Sequence, residues 1–222
     1  MVSLRQRAQC IGLSGGFSVL HDFFGYTDSP GSVSLKTQLD LLGGHRIDLD
    51  LIRVGMDLFS ASDVREIDTA VYMMREIYGT CSLAVGRLYH QGISAADAAG
   101  YQDIGSDGEA VDLCDDWSGI HGDAMDVYFV LTYAGDTVGY SAVDGPCDTD
   151  NAKYAMEGSV IAIEHSPDIT GLVLAHEVAH YLGLSHVNDS TNLMNPTVPN
   201  GGNLTSSQCS NLRNHCFVKG GC

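Results

Sequence analysis

The sequence predicts an α+β fold whose first half is α/β-like, and three observations carry that expectation. A strand, a helix and a second strand follow one another between about residues 47 and 89, the order of a parallel crossover. Short, fully apolar runs too brief for helices recur at 127–131 and 160–163, as buried strands do. A helix bearing two histidines one turn apart, His176 and His180, then precedes a loop-rich tail that closes on a last helical stretch.

A chain of 222 residues makes one large domain, or one domain with extensions. Its net charge of −17 argues against nucleic acid or an anionic membrane surface as a partner. No run of about 18 apolar residues is present, so no membrane span is expected.

Residues 1–45 are rich in Gly and Ser and read as an N-terminal arm or a propeptide remnant. Ile47, Leu49 and Leu51 alternate with Asp48 and Asp50, a strand pattern. Ser60 and Asp63 form a capping-box signature, and Val64, Ile67, Val71, Met74 and Tyr78 follow at helical spacing until Gly79. Cys81, Leu83 and Val85 alternate as the second strand. Residues 92–124 read as a long loop crowded with carboxylates, among them Asp103, Asp107, Glu109, Asp112, Asp115, Asp116 and Asp123; such hard oxygen ligands suit a structural calcium ion. Residues 137–142, interrupted by Gly139, read as an edge strand. Ser166-Pro167-Asp168 is a helix start, with proline in the first turn. Residues 204–216 read as a final helix starting near Thr205.

The second long helix carries the chemistry. Residues 176–186 read His-Glu-x-x-His-x-x-Gly-x-x-His. His176 and His180 stand on one face of the helix and can converge on one metal ion. Glycine at a helix end turns the chain cheaply, so Gly183 can swing His186 back as a third ligand. Neutral imidazoles suit zinc, which takes three protein ligands and keeps one position open for chemistry. Glu177, rotated about 100° from His176, can reach water beside the metal without coordinating it.

With Met194 eight residues after His186 and Pro196 two further on, the chain resembles the metzincin metallopeptidases, the matrixin-like branch most of all. Val187 departs from the small hydroxyl residue common after the third histidine there. The resemblance implies a twisted mixed five-stranded sheet with an antiparallel edge strand, two packed helices including the zinc helix, and a small C-terminal subdomain with a final helix. It implies a catalytic domain over 46–222, with an upper subdomain to about 183 and a lower one from about 184. It implies a zinc endopeptidase acting on protein or peptide substrates, with Glu177 as general base, His176, His180 and His186 as ligands, and Met194 as an apolar floor that does not ligate. An extended substrate would lie along Gly139, Tyr140, Ser141 and Ala142, and Pro196, Thr197 and Val198 would wall the main pocket. The expected molecule is a secreted monomer.

An extracellular setting makes disulfides of most of Cys81, Cys114, Cys147, Cys209, Cys216 and Cys222, with connectivity open. Cys10 stands in the N-terminal arm, where a thiolate could instead fill the open metal position. The alternative function is therefore a latent or non-catalytic zinc-binding module; an intact Glu177 favours the enzyme, because a purely structural site needs no base.

Overall fold

The computed structural model describes residues 44–147, 156–163, 165–199 and 201–220. The N-terminal arm up to residue 43, with Cys10, and the terminal Cys222 lie outside the described residues. Strand β1 (His45–Val54) is followed by α1 (Ala61–Gly79) and β2 (Leu83–Ile93), and β1 and β2 pair in parallel. The expected capping box is present: Ser60 accepts from the Asp63 amide, and the Asp63 carboxylate accepts from the Ser60 amide.

Residues 92–124 depart from the expected loop. They contain α2 (Ala95–Ala98), β3 (Asp103–Ile104) and α3 (Asp107–Asp116). Ser94 and Ser106 cap the two helices through their hydroxyls, and much of the acidic side chain population is spent locally. Asp103 accepts from Thr132, Glu109 from the Gly105 amide, and Asp116 from Tyr101. The short helical periodicity is masked in sequence by this density of carboxylates.

Next come β4 (Met125–Val130), β5 (Thr132–Tyr133), β6 (Gly139–Ser141) and β7 (Ser159–Ala162), then α4 (Pro167–Tyr181), α5 (Ser206–Asn214) and β8 (Val218–Gly220). The main sheet runs β2-β1-β4-β7-β6, and its first four strands are parallel. β6 is the antiparallel edge, paired Gly139 to Ile161 and Ser141 to Ser159. To the five strands expected, β8 adds a sixth, antiparallel to the start of β1. Lys219 of β8 also donates to the buried Asp48 of β1 at 2.8 Å. β3 and β5 form a separate parallel pair.

Each sheet face has its own core. Ile47, Leu49, Leu51, Val127 and Phe129 pack beneath α1 and α4 with Met74, Tyr78, Val178 and Tyr181. The other face carries Ile52, Val54, Tyr128, Val130 and Val160, covered by Ala110, Leu113 and Cys114 of α3. Two disulfides, Cys81–Cys209 and Cys147–Cys216, tie the C-terminal part of the chain back to the sheet and to the loop after β6. Cys114, expected to pair, is instead a buried free thiol in the second core; burial pushes it well above the usual thiol range. No helix among the described residues is long and apolar enough to cross a membrane.

Candidate metal centre and cleft

α4 is apolar on nearly every side, and from Val173 to Tyr181 it is buried throughout. It therefore holds His176, Glu177 and His180 on a backbone fixed by packing rather than on a loop. The helix ends at Gly183, whose φ of 95° lies in the left-handed region. The Gly183 amide bonds to His180 O and the Leu184 amide to Ala179 O, which closes the turn and sends the chain back toward the helix. His186 arrives there, exposed, beside its two buried partners.

The three imidazoles meet through Nε2. His186 Nε2 lies 3.2 Å from His176 Nε2 and 3.0 Å from His180 Nε2. Four-coordinate zinc with ligand bonds of 2.0–2.1 Å sets its nitrogens about 3.3 Å apart, so the spacing fits that ion. The tautomers agree. His176 Nδ1 stands 2.6 Å from Leu193 O and His180 Nδ1 2.6 Å from Leu184 O. A carbonyl can only accept, so each Nδ1 carries the hydrogen and each Nε2 offers a lone pair to the common point. Burial lowers the pKa of His176, and burial together with His176 itself pushes His180 down to about 4. Both rings are therefore kept in the neutral, ligating form. Among the described residues, this triad is the one group that brings three His, Cys, Asp or Glu ligand atoms within 4.8 Å of one another.

The two carbonyl acceptors escaped sequence reading, because a backbone oxygen has no residue signature. Leu193 O is held in place by the turn around Met194. Met194 is fully buried; its amide bonds to Asn192 Oδ1, and its carbonyl accepts from the Val187 amide. Asn192 in turn exchanges hydrogen bonds of 2.9 and 3.1 Å with Gln208 of α5. Gln208 is also the capping-box residue of that helix, accepting from the Thr205 amide.

A cleft of about 490 Å³ opens beside the triad. Gly139, Tyr140, Pro196, Thr197 and Val198 line it, together with His176, Glu177 and His186. Ser141 and Ala142 do not. Ser141 is buried and accepts from Ser159 at 2.9 Å, while Ala142 packs on the second core. Sequence reading had also left Asp107, Asp136, Leu172 and Val173 out of this wall. Gly139 sits hard against the helix: a methyl at its Cα would stand 2.7 Å from Val173 Cγ1 and 2.8 Å from Glu177 Cγ. Beyond β6, the amides of Asp144 and Gly145 bond to His180 O and Tyr181 O, fastening the strand's far end to the end of α4. Burial, with a smaller contribution from Asp107, raises the Glu177 carboxyl to about 8.

Residues 121–210, less than half of the chain, match the family model for the matrixins, peptidase family M10. Metalloproteinase-II from Bacteroides fragilis is a similar solved structure, 17% identical with a TM-score of 0.48. The match covers 77% of this chain and 52% of that one, so the chain spans about half the length of that protein. No curated protein matches the chain.

Proposed function

We propose that this metzincin-like chain is a zinc-dependent endopeptidase whose centre is His176, His180 and His186, with Glu177 as general base and acid. The observation that carries the reading is the convergence of three Nε2 lone pairs, two of them fixed by Nδ1 bonds to carbonyls, next to a buried carboxylate that binds none of them. Zinc, when bound, supplies Lewis-acid polarisation of the scissile carbonyl and brings the pKa of water down toward about 7. Glu177 takes the proton of the attacking water and passes it to the leaving amine. Burial raises its carboxyl in the metal-free protein, and the charge of a bound zinc would draw it back toward the ionised form that a base needs. An extended peptide binds along the edge strand at Gly139 and Tyr140, where strand addition recruits backbone groups with little regard to sequence. Pro196, Thr197 and Val198 wall the pocket beside it. Residues 46–222 form the catalytic domain in this reading, and the two disulfides suit an extracellular workplace.

Three measurements on three proteins test it: zinc content, casein hydrolysis and thermal melting on the wild type, Glu177→Ala and His180→Ala. The wild type is expected to hold about one zinc per chain and to lose hydrolysis to a chelator. Glu177→Ala is expected to keep zinc and lose turnover by roughly 10²- to 10⁴-fold. His180→Ala is expected to lose both. A Glu177→Ala protein with near wild-type turnover defeats the base assignment; one that loses zinc makes Glu177 a ligand or a support instead.

A further inference from the structure

Resting on the peptidase reading above, we infer that the cleft selects peptides with a lysine or arginine within about three residues of the scissile bond, held by the carboxylates of Asp107 and Asp136.

Both side chains line the same cleft as His176 and Glu177, and no Lys or Arg lines it. Asp107 is the first residue of α3 and is exposed, yet it is not free to wander. Its Oδ1 accepts from the hydroxyl of Tyr133 at 2.8 Å, and Tyr133 is itself 4% exposed. One donor uses one of about four acceptor sites on a carboxylate, which leaves the group able to receive a cation. An aspartate in the first turn of a helix also stabilises the helix dipole. Glu109 serves that end too, but it reaches back to the Gly105 amide, whereas Asp107 looks into the cleft. Asp107 and Glu177 line the same cleft.

Asp136 approaches from the turn before the edge strand. It is exposed in the connection from β5 to β6 and lies three residues before Gly139, where an added methyl would meet Glu177. Three residues of chain span at most about 10 Å, so Asp136, in the turn that precedes β6, lies within that distance of Gly139. The rest of the lining includes Leu172, Val173, Pro196 and Val198. A long basic side chain matches this combination: its alkyl stem covers apolar surface while its head stays with the exposed carboxylates. Low-dielectric walls concentrate the field of the two acids, which attracts cationic peptides and repels acidic ones.

The test is a set of internally quenched peptides identical except for Lys, Gln or Glu at each of three positions on either side of the scissile bond. At one or more positions on the side toward Asp136, kcat/KM is expected to favour Lys over Gln by about five- to tenfold, and to place Glu last. The ratio is expected to fall toward one in the Asp107→Asn/Asp136→Asn double variant, and to shrink as salt is raised. Equal cleavage of the Lys and Gln peptides by the wild type overturns the inference, as does a preference that survives in the double variant. Anisotropy titration of the same peptides onto zinc-loaded Glu177→Ala protein separates this from the underlying reading. Charge-selective binding without any wild-type hydrolysis would sink the peptidase assignment and leave the selectivity standing; hydrolysis without selectivity does the reverse.

Discussion

Gly139 shows how much of the site depends on what a side chain would displace. The edge strand comes so close to α4 that a single methyl would press on Val173, on Glu177 and, at 3.1 Å, on the Val160 carbonyl. None of the three can yield easily, since Val173 and Glu177 sit on a packed helix and Val160 O belongs to the neighbouring strand. Gly139→Ala is therefore expected to cost about 1–3 kcal/mol of stability as overpacking. Because the displaced atom belongs to Glu177, hydrolysis should fall further than folding does, by roughly ten- to a hundredfold. Zinc content should stay near wild type, as no ligand touches the added methyl. A variant with full activity and unchanged melting would mean that the strand moves aside at no cost. At this scale the three histidines and Glu177 were legible in the sequence, because a helix turns a fixed spacing into a fixed face. The oxygens of Leu184 and Leu193 were not, since they depend on where two separate turns come to rest.

At the scale of elements, the two capping boxes have the same chemistry and unequal consequences. Ser60 and Asp63 close α1 at an exposed end, and both were readable as a local pattern. Thr205 and Gln208 close α5 in the same way, but Gln208 also holds Asn192, whose carbonyl oxygen receives the Met194 amide. Ser60→Ala and Gln208→Ala should each cost about 1 kcal/mol in chemical denaturation. They should part company in zinc retention. Gln208→Ala loosens the turn that presents Leu193 O to His176, so a competing chelator should strip its metal faster; Ser60→Ala should match the wild type. Equal chelator sensitivity in both variants would deny α5 any part in holding the metal turn. The acidic stretch before β4 marks the limit of local reading. Ser94 caps a helix of four residues, too short to show a period, and Ser106 caps one with four Asp among its ten residues, where carboxylate density outweighed periodicity.

Across the whole molecule, the two sheet faces divide the work: one packs the metal helix, and the other stores charge. Asp48, Asp50 and Asp126 alternate with core residues on β1 and β4, and all three are at most 1% exposed. On β1 the alternation announced a strand correctly, but both faces are covered, so the acids lie inside rather than in water. Asp50 accepts from His121, both from its amide and at 2.8 Å from Nδ1. Asp126 Oδ2 accepts from the Gly119 amide at 2.6 Å and from Tyr128 at 3.4 Å, while its Oδ1 has no hydrogen-bond partner. Asp126 Oδ1 and Asp50 Oδ2 both crowd the same side of Gly119, so no side chain fits between them.

Burial is the main reason the Asp126 carboxyl is raised from 3.8 to about 7; the nearby charges of Asp50 and Glu157 raise it further, against the Gly119 and Tyr128 hydrogen bonds. Unfolded, the group releases its proton near pH 4. Between about pH 4 and pH 7 the folded state holds a proton that the unfolded state has lost. Stability contributed by this group is therefore complete below about pH 4 and drains away as pH rises through 7, at up to about 1.4 kcal/mol per pH unit. Asp126→Asn keeps a carbonyl for the Gly119 amide and sets an amide NH₂ where the orphaned oxygen stood, facing Asp50. The variant should match the wild type in denaturant midpoint near pH 4 and exceed it increasingly toward pH 8. Glu177, raised from 4.5 to about 8, adds a slope of the same sign, so the comparison is made in the Glu177→Ala background, where that share is removed. Parallel curves with and without Asp126→Asn in that background would mean that Asp126 is ionised in the fold at neutral pH, and that a cation or water in the molecule compensates it.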